Sequence, residues 1–351
     1  MKTIADYAFV ISLAQKSDWD NYVSKALEYD FYHTWDYQNI AKNGEPLLFV
    51  YEENDDFIAF PMLKRPIPNT NYYDFHSVYG YPGPISNKKF EHLGEQFLLN
   101  FQEYLLQFLK DQKCISVFTK FHPFINQTLA VEKLGGIFDN GKTVAIDLTI
   151  PLEEQRNKYR TSTFKDIIKA RDLGFTVREM QGQEDIALFT NLYKQSMTRV
   201  GATSFYMFDE EYFTALLKSD QCKAKLLMVY FEEKLICGSI VTETQDVLQA
   251  HLLATDKNYL KYSPAKYIID EICLMGRQHG KKYFNLGGGV GFKDNSLLEW
   301  KLGFSDLVLP HQSWRFVVNQ QVYNELVEES GHGIDDKTDF FPLYRLNQTV
   351  T

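Results

Sequence analysis

The sequence predicts a mixed α/β (α+β) protein made of two tandem copies of one unit, residues 1–150 and 151–351. Three observations lead there. At 351 residues the chain exceeds the size at which one hydrophobic core usually keeps growing, so two cores are expected. Leu47-Leu-Phe-Val-Tyr-Glu-Glu53 is echoed by Leu226-Leu-Met-Val-Tyr-Phe-Glu232, 226 − 47 = 179 residues later, and a short charged turn and another strand pattern follow each. Glu132-Lys-Leu-Gly-Gly136 is echoed by Trp300-Lys-Leu-Gly-Phe304, 301 − 133 = 168 residues later, and each precedes an alternating strand.

The elements follow in order. Tyr7-Ala-Phe-Val-Ile-Ser-Leu-Ala14 is apolar but short and follows Asp6 rather than a basic run, so it reads as neither leader nor span. Strand patterns at 47–53 and 57–60 lead to a long helix over 88–111, with Leu93, Phe97, Leu98, Phe101, Leu105 and Phe108 on one stripe, then a strand at 114–119. Residues 126–134 have helical spacing and stop at Gly135-Gly136, Asp139-Asn140-Gly141 reads as a turn, and 143–150 alternates as a strand. A polar helical connector spans 151–182. In the second copy, strands at 226–232 and 235–238 precede a helix that opens at Ser263-Pro264, a good cap and first-turn pair, and runs to Gly280. A strand at 282–286, a short helix capped by Asn295 or Ser296, and a strand at 314–318 complete it.

Bulk properties exclude several functions. Hydrophobic residues at 44% and charged ones at 24% describe a folded protein, unusually rich in Tyr and Phe. A formal charge of −9 argues against a DNA-binding footprint. The four cysteines form no C-x-x-C pair and sit in apolar stretches, as buried thiols of a reducing compartment do. The eight histidines form no H-x-x-x-H or H-E-x-x-H pattern, so no metal is assigned. Nothing approaches the roughly 20 apolar residues of a membrane span, and a cytoplasmic location is expected.

Two glycine motifs need weighing. Gly136-Ile-Phe-Asp-Asn-Gly141-Lys142-Thr143 satisfies G-x-x-x-x-G-K-[ST], but a phosphate loop needs a strand before it and a helix after it, and here the order is helix, turn, strand. Asn285-Leu-Gly-Gly-Gly-Val-Gly-Phe292 fails the third glycine of G-x-G-x-x-G. A strand end opening into a cleft is the reading for it, since glycines let a backbone approach a ligand closely.

The element order, with Asn157-Lys-Tyr-Arg-Thr-Ser-Thr-Phe-Lys-Asp-Ile-Ile-Lys-Ala-Arg-Asp-Leu-Gly174, Tyr262-Ser-Pro-Ala265 and Leu298-Glu-Trp-Lys-Leu-Gly-Phe304, resembles the FemAB-like acyltransferases. That resemblance implies two GNAT-like domains, the first degenerate, and an activity that in the better-known members moves an amino acid from aminoacyl-tRNA to a peptidoglycan precursor. The expected acceptor is a cell-wall precursor or nucleotide-linked sugar, the expected donor an aminoacyl-tRNA or an acyl-CoA, with no resident cofactor. No long charged heptad hairpin of the kind some members insert is present. Leu260-Lys-Tyr-Ser-Pro-Ala265 also departs from the [RQ]-x-x-G-x-[GA] pattern of ordinary GNAT proteins: Ser263 stands at a glycine position and Pro264 removes an amide donor. Lys257, Lys261 and Lys266 still surround that helix entrance.

Acyl transfer to an amine needs a neutral nucleophile and stabilisation of the oxyanion. No G-x-S-x-G elbow occurs, so direct transfer without an acyl-enzyme is expected. Lys301 is the expected catalytic cation, because the pair Trp300-Lys301 matches residues the family places at the acyl group. Arg160 and Lys165 are the candidates for acceptor phosphates, on a helix whose apolar face is Phe164, Ile167 and Ile168. Tyr79 and Tyr81, in an aromatic loop similar to one lining the family's acceptor cleft, are candidates for stacking on a sugar or base. Tyr262, Asn285, Gly288 and Trp300 complete the expected substrate-binding set. Two alternatives stand beside this reading: a CoA-dependent N-acyltransferase of exopolysaccharide or lipid biosynthesis, and an inactive binding protein using the same cleft.

Overall fold

The computed structural model describes residues 7–289, 291, 294–333, 336 and 338–350. The chain forms two compact units, residues 1–140 together with 311–351, and residues 141–310. This differs from the expected division at 150: the last 41 residues, 311–351, fold with the first copy.

The first unit contains β1 (Ala8–Ser12), α1 (Lys16–Lys25), α2 (Trp35–Ile40), β2 (Glu45–Glu53), β3 (Asp56–Pro66), β4 (Tyr73–His76), β5 (Ile85–Ser86), α3 (Glu95–Asp111) and β6 (Cys114–Lys120). Strands β1 to β4 form an antiparallel meander, and β6 joins β4 in parallel. A helix between parallel neighbours is the usual solution, since such strands need a long crossover. Helix α3 supplies it, burying Phe101, Leu105 and Leu109 completely. Each such side chain contributes about 1.5–3 kcal/mol on leaving water. The helix starts seven residues later than its periodicity suggested; Leu93 precedes it, after a single 3-10 turn at Phe90–His92.

β7 (Ile137–Asp147) absorbs the residues expected to turn at Asp139-Asn140-Gly141, and the helix expected over 126–134 is two short 3-10 turns. The phosphate-loop letters therefore lie along a strand. Their first glycine has another role. Gly136 adopts φ +81°, and a Cβ there would stand 2.7 Å from the Arg315 carbonyl oxygen, so glycine lets the backbone at Arg315 come close.

The second unit follows with α4 (Leu152–Asn157), α5 (Thr161–Asp172), β8 (Thr176–Glu179), α6 (Gln183–Arg199), α7 (Glu210–Lys218), β9 (Ala224–Phe231), β10 (Lys234–Thr244), β11 (Val247–Thr255), α8 (Pro264–Gln278), β12 (Tyr283–Gly287) and α9 (Ser296–Lys301). The expected connector thus includes a strand, β8, which pairs with β9. Strands β8 to β11 are antiparallel, α8 crosses over, and β12 joins β11 in parallel. The plan repeats that of the first unit.

Each copy is completed by a strand from the other half of the sequence. Val144–Asp147 of β7 pairs antiparallel with β12, inside the second unit. Ser313–Val317 of β13 (Leu307–Val317) pairs antiparallel with β6, inside the first, and α10 (Gln320–Glu329) follows there. This exchange of last strands is why the tail returns to the first unit.

The polar connector is anchored by one buried charge. Asp270, on α8 and fully buried, accepts from Arg156 of α4 (2.7 Å to Nη2), Arg171 of α5 (2.6 Å) and the Tyr159 hydroxyl (3.0 Å). A buried carboxylate is tolerated only when paired and hydrogen-bonded in this way. The four cysteines are free and buried. Among the described residues, no helix is long and apolar enough to cross a membrane, and no group of three His, Cys, Asp or Glu side chains could hold a metal ion.

Candidate functional site

In the second unit β11 and β12 share a short parallel ladder, Val247 to Gln249 against Tyr283 to Asn285, while β11 runs on to Thr255. A register shift opposite Ile240 and Val241 leaves His251 as an extra residue in β11 just past the ladder. The two strands therefore part where polar side chains stand in the interior. Gln249, His251 and Asn285 are all buried, and the Tyr212 hydroxyl of α7 lies 2.7 Å from His251 Nε2. Sequence reasoning singled out Asn285 but not Gln249, His251 or Tyr212. For Gln249 and His251 the only signal was a polar residue at alternate positions in an otherwise apolar strand, which a solvated face produces equally well.

β12 ends in the glycine run, with Gly287 at φ +75°. Val290 and Phe292 of that run lie outside the described residues. Beyond it, Asn295 caps α9: its side-chain oxygen accepts from the Leu297 and Leu298 amides at 3.0 and 3.2 Å. Leu298 is buried in the unit's core, and Trp300 packs edge-on against Phe304, ring centroids 5.0 Å apart. That fixes the helix, so Lys301 reaches back and donates from Nζ to the Gly288 carbonyl at 2.6 Å. Although the side chain as a whole is half-exposed, its amine lies deep enough that burial pushes it down to about 7. Among the described residues no carboxylate pairs with it.

Arg160 precedes α5 and is spent on α9. Its backbone amide donates to Gly303 O at 2.9 Å, and its guanidinium donates to the Glu299 carbonyl at 2.9 Å and to the Glu299 carboxylate at 2.7 Å. A Cβ at Gly303 would stand 2.9 Å from both Thr163 Oγ1 and the Trp300 carbonyl, so glycine permits this close seating of the two helices. Lys165 is exposed on α5. Ile168, expected on the apolar face with Phe164 and Ile167, is 39% exposed.

The entrance to α8 has an internal anion. Ser263 sits in the left-handed region at φ +54°, the conformation glycine would take without strain. Its hydroxyl lies 3.3 Å from Asp166 of α5, and Lys266 forms a 2.8 Å ion pair with the same carboxylate. Lys261 lies over the ring of the half-buried Tyr262, 4.9 Å from its centroid. Of the three lysines expected to draw an anion here, one already holds Asp166.

Tyr79 and Tyr81 belong to the first unit. Tyr81 is 8% exposed and packs against Tyr32, His122 and His311, with centroids 5.5–6.0 Å apart, so core packing accounts for it. Tyr79 is half-buried, and its carbonyl accepts from the Tyr37 hydroxyl at 2.8 Å.

Comparison with known proteins agrees with this fold. Residues 157–301 match the family described as an acetyltransferase (GNAT) domain. No curated protein matches the sequence. Among solved structures, FemX is similar over 90% of this chain and 98% of its own, with a TM-score of 0.68 and 12% identity. L-PGS from Bacillus licheniformis covers 87% and 92%, with a TM-score of 0.56 and 12% identity. The C-terminal domain of a putative lysylphosphatidylglycerol synthetase from Agrobacterium fabrum covers 89% and 93%, with a TM-score of 0.56 and 15% identity. At these identities the structural likeness is one of fold. The chain has the FemX-like fold, and the match of residues 157–301 to an acetyltransferase (GNAT) domain supports an acyltransferase.

Proposed function

We propose that this chain moves an acyl or aminoacyl group directly onto the amine of a cell-wall precursor or nucleotide-linked sugar, with Lys301 as the cation at the acyl carbonyl. The observation that carries the reading is the Lys301 ammonium, held by a neutral carbonyl beyond the end of β12 rather than by a carboxylate. In the reaction the acceptor nitrogen bonds to the acyl carbon, and the carbonyl oxygen takes up the negative charge that an ammonium can stabilise. The tetrahedral centre then collapses, the bond to the donor breaks, and the proton lost by the amine goes to the leaving group. No covalent intermediate on the protein is needed.

An aminoacyl-tRNA is the donor we favour. The α8 entrance offers little to a diphosphate: Pro264 lacks an amide hydrogen, the Lys266 amide donates to Ser263 O at 2.9 Å, and Asp166 occupies the Lys266 ammonium. The family description of residues 157–301 as an acetyltransferase domain supports the second reading, an acyl-CoA donor. Likeness to lysylphosphatidylglycerol synthetase adds a lipid headgroup as a third acceptor class.

Calorimetry with acetyl-CoA separates the donors. Binding weaker than millimolar is expected. A micromolar Kd, about −8 kcal/mol, would exclude the claim that this entrance is closed and make acyl-CoA the donor. Transfer assays with charged tRNA then test the favoured route: no product with any acceptor of the three classes would remove it.

A further inference from the structure

Lys301 is positioned at two ends. Its stem is fixed by α9, which is capped by Asn295 and clasped by Arg160. Its head is fixed by the Gly288 carbonyl. That carbonyl follows directly on β12, and no ladder to β11 holds it, because the last pair of that ladder is Gln249 with Asn285. Side chains hold it instead. The Asn285 carboxamide oxygen accepts from the Gly287 amide at 3.0 Å, and its Nδ2 donates to Gln249 Oε1 at 2.8 Å. The pairing of β12 with β7 slips between Asn285 and Gly287, so the strand's backbone is irregular at this spot. Both amides are buried, at 2% and 1% exposure, where water cannot substitute for either partner and each fixes the other's orientation.

We propose that Gln249 is a positioning residue for Lys301: through Asn285 it sets the Gly287–Gly288 turn, and through that turn the carbonyl that aims the ammonium. Asn285 thereby takes a different role from the substrate contact expected of it. The inference rests on reading Lys301 as the cation at the acyl group, but its test does not require the substrates.

The measurement is competitive labelling of lysines with trace acetic anhydride across pH, read at each lysine by mass spectrometry. Wild-type Lys301 should be half-reactive near pH 7. Gln249→Met keeps the length and volume of the side chain and removes the acceptor that holds Asn285. A hydrogen bond from the ammonium to Gly288 O favours the charged form, so loosening that carbonyl lowers the midpoint by about half a pH unit, roughly threefold in proton affinity. The other lysines should keep theirs. Gln249→Glu retains an acceptor oxygen for Asn285 and should leave the Lys301 midpoint at or above the wild-type value. Should the Met variant not fold, Gln249→Ser removes the same acceptor and is read instead. A purely structural amide pair would lower the melting temperature without moving the Lys301 midpoint, and an unmoved midpoint in a folded variant overturns the proposal. So does a fall in the Glu variant equal to that in the Met variant. Activity of Lys301→Met is measured separately, so failure of the catalytic reading remains distinguishable from failure of the positioning role.

Discussion

Lys133 and Lys301 stand 168 residues apart in matching pentapeptides, yet they occupy different worlds. Lys133 is an exposed residue in a three-residue 3-10 turn, Glu132–Leu134, that has no side-chain cap. Lys301 ends a capped α-helix, is backed by Trp300, and meets a glycine carbonyl. The long helices show a parallel contrast. At the same offset, 270 − 102 = 168, α3 buries the neutral Gln102 where α8 buries the charged Asp270 with two arginines. Shared letters thus mark corresponding places in the two copies, while the surroundings of each letter depend on what each copy places around it. At these two matched positions the second copy holds charge away from water and the first does not, although the first copy buries a charge elsewhere, at Asp74 between Arg65 and Arg345.

The largest expected effect lies in the long helices. Asp270→Ala leaves Arg156 and Arg171 without their buried partner and should cost about 3–5 kcal/mol of stability. Gln102→Leu should be neutral or slightly stabilising, because its side-chain oxygen is buried without a hydrogen-bond partner among the described residues. Urea unfolding measures both. Equal costs at the two positions would erase the contrast between the copies.

Next come the two lysines. Lys301→Met should lower kcat on the order of a hundred-fold with KM much less changed, whereas Lys133→Met should be nearly silent. Equal damage from both would mean that the first copy is no mere scaffold. The pH profile sharpens this. Burial lowers the Lys301 value from 10.5 to about 7, so the cation is present below pH 7 and is lost as pH rises through it. Activity should therefore show a descending limb there, about tenfold down one unit above the midpoint. Lys301→Arg, which cannot deprotonate in this range, should lose that limb.

The smallest effect separates the glycines that follow the two lysines. Gly303→Ala would crowd Thr163 Oγ1 and the Trp300 carbonyl, shifting α9 against α5 and lowering transfer by up to about tenfold. Gly135 has open space around it, and Gly135→Ala should cost only the strain of its φ of +75°, about 1 kcal/mol of stability, with transfer unchanged. Kinetics paired with melting curves distinguish the two. Loss of transfer in both would put an unrecognised functional demand on the first copy.

Much of this was legible in the sequence because it depends on local order. The crossover helices, the strands beside them, the Asn295 cap and the Lys301 pentapeptide all follow from periodicity and residues a few positions apart. The reverse element order around Gly136 sufficed to reject a phosphate loop, although the presumed turn and helix there proved to be strand and 3-10 turns. Aromatic richness misled at Tyr81: a loop of tyrosines and glycines looks alike whether its rings face a ligand or the core, and only packing against Tyr32 and His311 decides.

What the sequence determined by itself was two copies of one α/β plan, because patterns of 2.0 and 3.6 residues and a repeat at half the chain length are properties of neighbouring letters. What only the tertiary structure decided was which sheet each final strand completes, which arginines Asp270 gathers, and that Gln249 holds Asn285 against the turn below Lys301. The physical reason is range. A strand pattern specifies which face is apolar but not whose edge it will join. A buried polar side chain is satisfied by partners that may be 36 residues away, as Gln249 and Asn285 are, or 114, as Arg156 and Asp270 are.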